Sequence, residues 1–314
     1  MVSSLGLIMK RTSETIAFFG SGPVAAASLE LLARSFSIEV VITKPSAGKH
    51  EGLAPVLDIA ERLAIPTYTA INKQELSELF THFSPQSRVA VLIDYGIIIQ
   101  EPVIKAFPLG IVNSHFSLLP QWRGPDPISF AILSGQATTG VSLMLIVPEL
   151  DEGPLLAQQS LAIPDGITGP ELTRRLVELS NTMLQQTLPA YLQGMVHAKP
   201  QSTDEPPTYS RKLTKTDGLI DWTKPAEQLE REIRAFIEWP KSRTMIGGKE
   251  VVLTAARVVK KQGNAGTIHT DKHRLIVVCG RDALEILRLK PAGKKEMTAE
   301  AFLAGYGKTI ISSD

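Results

Sequence analysis

An amide and an imidazole, Asn113 and His115, stand two residues apart directly after the buried apolar run Leu109–Val112. Successive side chains of a strand point to opposite faces, so these two share a face if the strand continues through them. An amide is a neutral donor for a developing oxyanion, and a histidine carries a proton near neutral pH. The spacing therefore predicts a catalytic pair at a strand end, although it also fits a strand end with a structural core histidine.

A third candidate, Asp151, follows the end of the strand predicted over Val141–Val147. In an open α/β sheet the ligand lies outside the carboxyl ends of the strands, so Asp151 is expected to meet the Asn113 and His115 side chains there. A carboxylate beside an imidazole sets its tautomer and favours its protonated form. Asp-Glu-Gly-Pro is also ordinary turn chemistry, so Asp151 alone does not define a site.

Strand and helix signals alternate through the first two hundred residues, which predicts an α/β domain with a mostly parallel sheet. The turn Gly20-Ser21-Gly22 between the first strand and helix is close to a dinucleotide fingerprint. The second strand, however, ends in Thr43-Lys44-Pro45, where a dinucleotide enzyme needs an acidic ribose ligand. The turn is therefore interpreted as strand-to-helix geometry. The predicted strands are 15–19, 38–43, 88–93, 109–112, 141–147 and 155–162, and the predicted helices 25–34, 54–63, 74–80, 126–134 and 170–191.

A stretch rich in Pro, Ser and charge, residues 199–210, indicates a domain boundary. Beyond it a helix is predicted over 225–236 and strands over 251–259, 265–270, 274–279 and 283–289. Short strands with turns about every ten residues indicate a small barrel. We therefore predict one domain over residues 1–200, whose first 14 residues are an extension, a linker over 201–208 and a second domain over 209–314.

The composition of the 314 residues restricts the class of protein. An apolar fraction of 43% supports a substantial core and argues against disorder. The single cysteine, Cys279, excludes an intramolecular disulfide and a Cys-based zinc site and fits a reducing compartment. No run of about 18 apolar residues is present and no signal peptide is expected, so we predict a cytoplasmic protein without a membrane partner.

Charge is distributed unevenly along the chain. Residues 1–205 contain 13 Lys and Arg against 19 Asp and Glu, whereas residues 206–314 contain 20 against 13. A basic second part indicates a polyanionic partner, with nucleic acid the first candidate. A soluble domain that is basic for no functional reason fits the same numbers.

The pattern Asn-x-His-x-Ser-Leu-Leu-Pro-x-x-Arg-Gly over 113–124 resembles the signature of the folate-dependent formyltransferases. Thr139-Gly140-Val141 and Leu150-Asp151-x-Gly153 resemble the same family in order and spacing. The likeness covers almost the whole chain and is strongest to the branch that acts on methionyl-tRNA, whose C-terminal domain is resembled by residues 209–222, 233–240 and 294–305. It implies a Rossmann-like formyltransferase domain followed by a small OB-like β-barrel domain that binds tRNA.

The resemblance also implies a reaction. A formyl group passes from 10-formyltetrahydrofolate, a co-substrate, to the amino group of methionine on initiator tRNA, in a monomer that needs no metal. Asn113 would hold the formyl oxygen. His115 would stabilise the adduct and protonate the leaving folate nitrogen. Asp151 would orient and charge His115 and help to remove the amine proton.

Binding residues follow from the same likeness. The folate is expected along Ser117, Leu118, Leu119 and Pro120, with its pterin near Tyr95, Gly96 and Ile97. The candidate phosphate contacts for tRNA are Lys44, Lys49, Arg211, Lys212, Lys215, Lys294 and Lys295, each of which singly also fits a solvated surface cation.

Three alternatives stay open at this point. The loop Lys44–His50 is short and has no Arg, whereas the tRNA branch carries a longer basic loop there, which favours a small acceptor such as an amino sugar nucleotide. A non-catalytic RNA-binding module has no physical need for Asn113, His115 and Asp151 together. A nicotinamide-dependent dehydrogenase rests on the glycine turn alone and is opposed by Lys44.

Overall fold

The computed structural model describes residues 14–45, 54–307 and 310. The predicted extension, apart from Glu14, and Lys49 lie outside the described residues. The chain forms two compact units. The first contains the residues up to Pro127, Thr139–Ala162 and Thr173–Ser210, and the second contains Ile128–Thr138, Ile163–Leu172 and the residues from Arg211 onward.

The first sheet is a seven-stranded, mostly parallel sheet. Its strands are β1 (Thr15–Phe19), β2 (Ser37–Thr43), β3 (Thr67–Thr69), β4 (Ala90–Leu92), β5 (Ile111–His115), β6 (Thr138–Leu145) and β7 (Leu155–Ala162). They lie in the order β3-β2-β1-β4-β5-β6-β7, and the pairs from β3 to β5 are parallel while β5 and β6 are antiparallel. The predicted mostly parallel α/β architecture is confirmed.

The helices of this part of the chain begin where the sequence supplies helix-start residues. They are α1 (Pro23–Leu32), α2 (Pro55–Arg62), α3 (Lys73–His82), α4 (Glu101–Lys105), α5 (Pro127–Ser134) and α6 (Gly169–Leu192). Proline occupies the first turn of α1, where its missing N–H is no loss. The Asn72 side chain caps α3 by accepting hydrogen bonds from the amides of Gln74 and Glu75, at 2.9 and 3.0 Å.

The second unit contains a six-stranded antiparallel sheet. Its strands are β8 (Ser242–Ile246), β9 (Lys249–Val259), β10 (Ile268–Thr270), β11 (Leu275–Val278), β12 (Ala283–Pro291) and β13 (Met297–Thr298), with the helices α7 (Ala226–Ala235) and α8 (Ala299–Tyr306). The order is β10-β11-β12-β9-β8, and β13 pairs with β12. Leu229 of α7 and Phe302 of α8 join Leu253, Leu284 and Ile286 of the sheet in one buried core.

Sequence reasoning left out three of the elements named in this unit, β8, β13 and α8. The C-terminal region was predicted as strand-like throughout, yet α8 is a helix that begins at the Thr298 cap, whose hydroxyl accepts from the Ala301 amide at 3.2 Å. A threonine before Phe302-Leu303 was the available signal. In the first sheet, a strand was predicted over 109–112. The observed strand β5 begins at Ile111, after Gly110 with φ +74°, and extends through His115.

Aromatic rings fill the core of the first unit. Tyr95 meets Phe19 edge to face at 5.6 Å between ring centroids, and Phe19 also meets Phe107 at 5.9 Å. Tyr95 is 1% exposed, and burial raises the pKa of its phenol. Within the described part of the chain, the Tyr95 hydroxyl has no hydrogen-bond partner. Such a group carries a desolvation penalty with nothing to offset it.

We expect Tyr95→Phe to raise the free energy of unfolding by about 1 kcal/mol, because the ring contacts stay and the unpaired hydroxyl is removed. Urea denaturation followed by circular dichroism measures the change. Tyr68→Phe, at a residue 40% exposed, is the matched control and should shift stability by less than about 0.5 kcal/mol. A loss of stability in Tyr95→Phe would show that the hydroxyl is hydrogen-bonded after all.

Candidate active site

The predicted pair lies at the carboxyl end of β5. All five residues of this strand are buried, with Asn113 8% and His115 6% exposed. The His115 Nε2 lies 2.9 Å from the carbonyl oxygen of Trp122. A carbonyl oxygen only accepts, so Nε2 carries a hydrogen and donates it. The other ring nitrogen, Nδ1, is therefore the one that gains or loses a proton.

Asp151 faces that second nitrogen. Its Oδ2 lies 3.9 Å from the His115 Nδ1, and the residue is 8% exposed. This distance is that of an ion pair with a protonated ring and is too long for a hydrogen bond. The same Oδ2 accepts a hydrogen bond of 2.7 Å from the backbone N–H of Gly124. The Gly124 amide therefore fixes the carboxylate in front of the imidazole.

The route by which Asp151 reaches His115 differs from the expected one. Because β6 is antiparallel to β5, its last residue Leu145 pairs with Val112, and His115 pairs with Ser142 in the middle of β6. The carboxyl ends of the two strands are therefore not neighbours. The loop between β6 and β7 returns to the site, and Asp151 stands in it with φ +53°.

Two glycines of the sequence pattern are required by close backbone approaches. A Cβ at Gly153 would lie 1.7 Å from the Leu145 carbonyl oxygen. A Cβ at Gly124 would lie 2.4 Å from the Ser210 carbonyl oxygen, and Gly124 has φ +106°. Any side chain at either position would displace the turns that hold the Asp151 carboxylate.

Asn113 has an unusual environment for a buried amide. It pairs through its backbone between Leu92 of β4 and Met144 of β6. Its side-chain amide makes no hydrogen bond with any described residue. Buried polar groups are nearly always paired in native proteins, so an unpaired amide at the end of a sheet strand is available to a ligand.

The segment expected to hold a folate follows His115 directly. Its backbone is fixed by Ser142, whose hydroxyl accepts from the Leu119 amide at 3.0 Å and donates to the Ser117 carbonyl at 2.6 Å. The Gln158 amide donates to the Leu119 carbonyl at 2.9 Å. Ser117, Leu119 and Pro120 are buried, and Leu118 is half-buried. The segment is rigidly placed, and Leu118 is its most accessible side chain.

The residues expected around a pterin, Tyr95, Gly96 and Ile97, differ in how deeply they are buried. The Tyr95 ring packs in the aromatic core. The Tyr95 carbonyl, just beyond the carboxyl end of β4, accepts a hydrogen bond of 2.8 Å from the Ser21 hydroxyl. Gly96 is exposed with φ +67°, and Ile97 is half-buried. The Lys44 ammonium donates a hydrogen bond of 3.1 Å to the Gly96 carbonyl. Lys44, a predicted tRNA contact, is therefore already bound to this turn.

Sequence reasoning missed the segment that supports the loop carrying Trp122. The Trp122 amide donates to the Thr208 hydroxyl at 2.8 Å, the Arg123 amide to the Thr208 carbonyl at 2.9 Å, and the Ser210 amide to the Arg123 carbonyl at 2.7 Å. These residues lie within or next to the predicted linker. Their Pro- and Ser-rich composition gave no signal of this role.

Asp94 begins the stretch of residues 94–99 that was expected beside the pterin. It follows β4 with φ +47°, an unfavourable conformation for a residue with a side chain. Partial desolvation raises the pKa of its carboxyl from 3.8 to about 6. The neighbouring Asp126 carboxylate adds to the rise, and Lys44 opposes it. An ionisable group with a raised pKa therefore stands just beyond the carboxyl end of β4.

The predicted phosphate contacts of the second unit fall into two groups. Arg211 forms an ion pair with Asp217, whose pKa is lowered chiefly by that hydrogen-bonded guanidinium. Lys212, Lys215, Lys294 and Lys295 are exposed, and none forms an ion pair with a described residue. The four lysines are available to a polyanion, whereas Arg211 is already engaged.

Two kinds of feature are absent from the described residues. No group of three or more His, Cys, Asp or Glu side chains that could hold a metal ion occurs among residues 14–45, 54–307 and 310. Over the same residues, no helix is long and apolar enough to span a membrane.

Both parts of the chain match models of one family. Residues 15–188 match the model of the formyl transferase family, and residues 212–307 match that of the formyl transferase C-terminal domain. The chain therefore belongs to the formyl transferase family.

Individual relatives agree with this assignment. The chain is 37% identical over 300 residues to a methionyl-tRNA formyltransferase of Roseiflexus sp. (strain RS-1), covering 92% of each chain. Among solved structures it resembles HypX from Aquifex aeolicus in complex with tetrahydrofolic acid, with a TM-score of 0.65, 16% identity and coverage of 96% of this chain and 49% of that one. It also resembles an N-formyltransferase from Helicobacter canadensis, with a TM-score of 0.66, 16% identity and coverage of 91% and 100%. The two structures support the fold.

As the pH rises from about 4 to about 6, we expect the wild type to lose stability relative to Asp94→Asn. Above this range the difference in stability between the two proteins should stay constant. The raised pKa means that the folded state favours the neutral carboxyl, so the wild type loses this stability as the carboxyl ionises, whereas an amide does not. Tm measured across pH 3 to 8 (roughly the range of the titration) tests the sign. Asp58→Asn on α2 is the control. A gap that stays constant with pH would contradict the raised pKa.

Proposed function

We propose that this chain transfers a formyl group from 10-formyltetrahydrofolate to the amino group of methionine on initiator tRNA, and so supports translation initiation. The observation that carries the proposal is the buried Asn113, His115 and Asp151 cluster, in which the Asn113 amide has no partner. The cluster stands in a chain 37% identical to a methionyl-tRNA formyltransferase over 92% of both lengths.

The reaction replaces one carbon–nitrogen bond with another. The bond between the formyl carbon and N10 of the folate breaks, a bond between that carbon and the acceptor amine forms, and one proton passes from the amine to N10. Negative charge develops on the formyl oxygen as the amine attacks. A neutral donor in a buried site stabilises that charge strongly, and the unpaired Asn113 amide supplies one.

The proton transfers fall to His115 and Asp151. Because Nε2 is committed to the Trp122 carbonyl, Nδ1 is the nitrogen that can exchange a proton during the reaction. Asp151 at 3.9 Å stabilises the ring when Nδ1 is protonated, which suits a group that gives a proton to the leaving nitrogen. The carboxylate also accepts, directly or through water, the proton released by the amine.

The folate is the formyl donor in this proposal. We infer that it lies along Ser117, Leu118, Leu119 and Pro120, with the pterin beside the backbone of Tyr95 to Ile97. The rigid backbone of the first segment and the exposed turn at Gly96 fit a binding surface for a flat ligand.

The second unit is the tRNA-binding part of the proposal. We infer an OB-like barrel over 209–314, separated by residues 201–208 from a catalytic domain over 1–200. Its antiparallel sheet and the four unpaired lysines fit the binding of a phosphate backbone. The proposal includes a cytoplasmic protein that acts as a monomer, which light scattering of the purified protein tests.

We expect the purified protein to form formyl-methionine on charged initiator tRNA, and Asn113→Ala and His115→Ala each to lower kcat by about 10²- to 10³-fold. The loss follows from removing one stabilising group at the reacting carbon. His82→Ala, at the end of α3, is the exposed control and should keep full activity. An active His115→Ala would contradict the assigned site. Formylation of an amino sugar nucleotide but not of tRNA would replace the acceptor.

We expect tRNA affinity to fall steeply with salt, and the slope of log Kd against log salt to decrease by about one for each phosphate contact removed in Lys294→Ala and Lys295→Ala. Lys105→Ala, an exposed lysine already paired with Glu101, is the matched control and should leave the slope unchanged. Filter binding at several salt concentrations measures it. Equal slopes in all the variants would remove these lysines from the interface.

A further inference from the structure

We propose that Gln201 is a positioning residue for catalysis, which holds the turn of Asp151 so that its carboxylate faces the His115 ring. The kinetic test of this inference rests on the proposed function, whereas the contacts that support it are independent of that function. Neither residue type nor spacing marks Gln201 as part of a site, since it stands in a polar stretch predicted as a linker.

The Gln201 side chain binds the backbone on both sides of Glu152. Its Nε2 donates to the Asp151 carbonyl at 2.7 Å and to the Gly153 carbonyl at 3.0 Å. One amide group therefore uses both of its N–H bonds on a single turn. That turn benefits from support, because Asp151 has φ +53°, a left-handed conformation that is uncommon for residues other than glycine.

The other end of the Gln201 amide is also engaged. Its Oε1 accepts a hydrogen bond of 2.9 Å from Arg123 Nη2. Arg123 in turn forms an ion pair of 2.8 Å with Glu152, and its side chain is only 11% exposed. Gln201 thus links the turn that carries Asp151 to the residue beside Gly124, whose amide holds the Asp151 carboxylate.

Backbone contacts fix the register of Gln201. Leu155 and Lys199 exchange two hydrogen bonds of 2.7 and 2.8 Å just before it. Tyr209 pairs with Arg123 after it. The segment is therefore held at both ends, so the Gln201 side chain reaches the turn from a defined position. Loss of its two donor bonds would let the strained turn relax and move the carboxylate relative to the His115 ring.

Two substitutions separate the roles of the side chain. Gln201→Glu keeps an acceptor for Arg123 but has no donor for the two carbonyls, whereas Gln201→Met has neither. We expect both to lower kcat by about 10- to 100-fold, with the KM values for folate and tRNA changed by less than about twofold. Gln193→Met, at an exposed glutamine at the end of α6, is the matched control. Tm should be similar in all three variants.

A double mutant distinguishes positioning from general structural support. If Gln201 acts through Asp151, Gln201→Met should cause no further loss of kcat in an Asp151→Asn background. Additive losses would overturn the proposal. So would activity in Gln201→Glu and Gln201→Met equal to that of Gln193→Met, or a loss of kcat that merely follows a fall in Tm.

A measurement without substrate separates this proposal from the proposed reaction. The ring resonances of His115, assigned with His115→Ala, report on its surroundings in the free protein by NMR. We expect Gln201→Met to shift them and Gln193→Met to leave them in place. Unchanged resonances in Gln201→Met would refute the positioning role. Shifted resonances in a protein that does not formylate methionyl-tRNA would keep it and refute the acceptor.

Discussion

The backbone of residues 122–124 is the constraint on which the site depends. The Trp122 carbonyl accepts from His115 Nε2, and the Gly124 amide donates to Asp151 Oδ2. One short turn therefore determines both the tautomer of the imidazole and the position of the carboxylate. Because both partners belong to the same turn, the ring and the carboxylate keep their relative position. The His115 Nδ1 and the Asn113 side-chain amide make no hydrogen bond with a described residue, and these are the groups that the proposed reaction uses.

This arrangement requires an unfavourable backbone. Trp122 and Asp151 adopt φ +54° and +53°, and each such residue costs on the order of 1 kcal/mol. Thr208 accepts hydrogen bonds from the Trp122 and Arg123 amides, and the Ser210 amide donates to the Arg123 carbonyl, so the first turn is held in place. The strained residues and the hydrogen bonds that support them therefore lie within the candidate active site. Precise placement of the imidazole and the carboxylate is thus achieved by local geometry that no secondary structure would provide.

The sequence predicted the parts of this site that depend on short-range geometry. Asn113 and His115 share a face because a strand alternates with period two, and this needs only the strand itself. The arrival of Asp151 depends on a loop that returns from an antiparallel strand, a contact that spacing cannot encode. Asp151 was expected at the site on a different ground, that the carboxyl ends of neighbouring strands meet, and this does not hold for the antiparallel pair β5 and β6. Thr208 and Ser210 were unpredictable because polar composition is the same in a solvated linker and in a segment that hydrogen-bonds to a loop.

The fold was predictable to a similar degree. Buried apolar runs located β1, β2 and β4, since strands covered on both faces read as continuous hydrophobic stretches. The helix α8 was missed because its short apolar cluster, Phe302-Leu303, gives no period long enough to separate helix from strand. The sequence signal for this helix was its capping residue, Thr298. A single threonine is weak evidence for a helix start until its hydrogen bond with a backbone amide, here that of Ala301, is seen.

The charge excess of the C-terminal part also needs the structure to be interpreted. Every arginine from residue 211 onward lies in the described part of the chain and is engaged. Seven form ion pairs with carboxylates, and Arg231 donates to the Leu133 carbonyl at 3.0 Å. Arg257 and Arg274 share the buried Glu285. The available positive charge therefore resides on exposed lysines. A lysine ammonium is a point charge without the planar, bidentate geometry of arginine, so it suits contact with phosphates rather than recognition of bases.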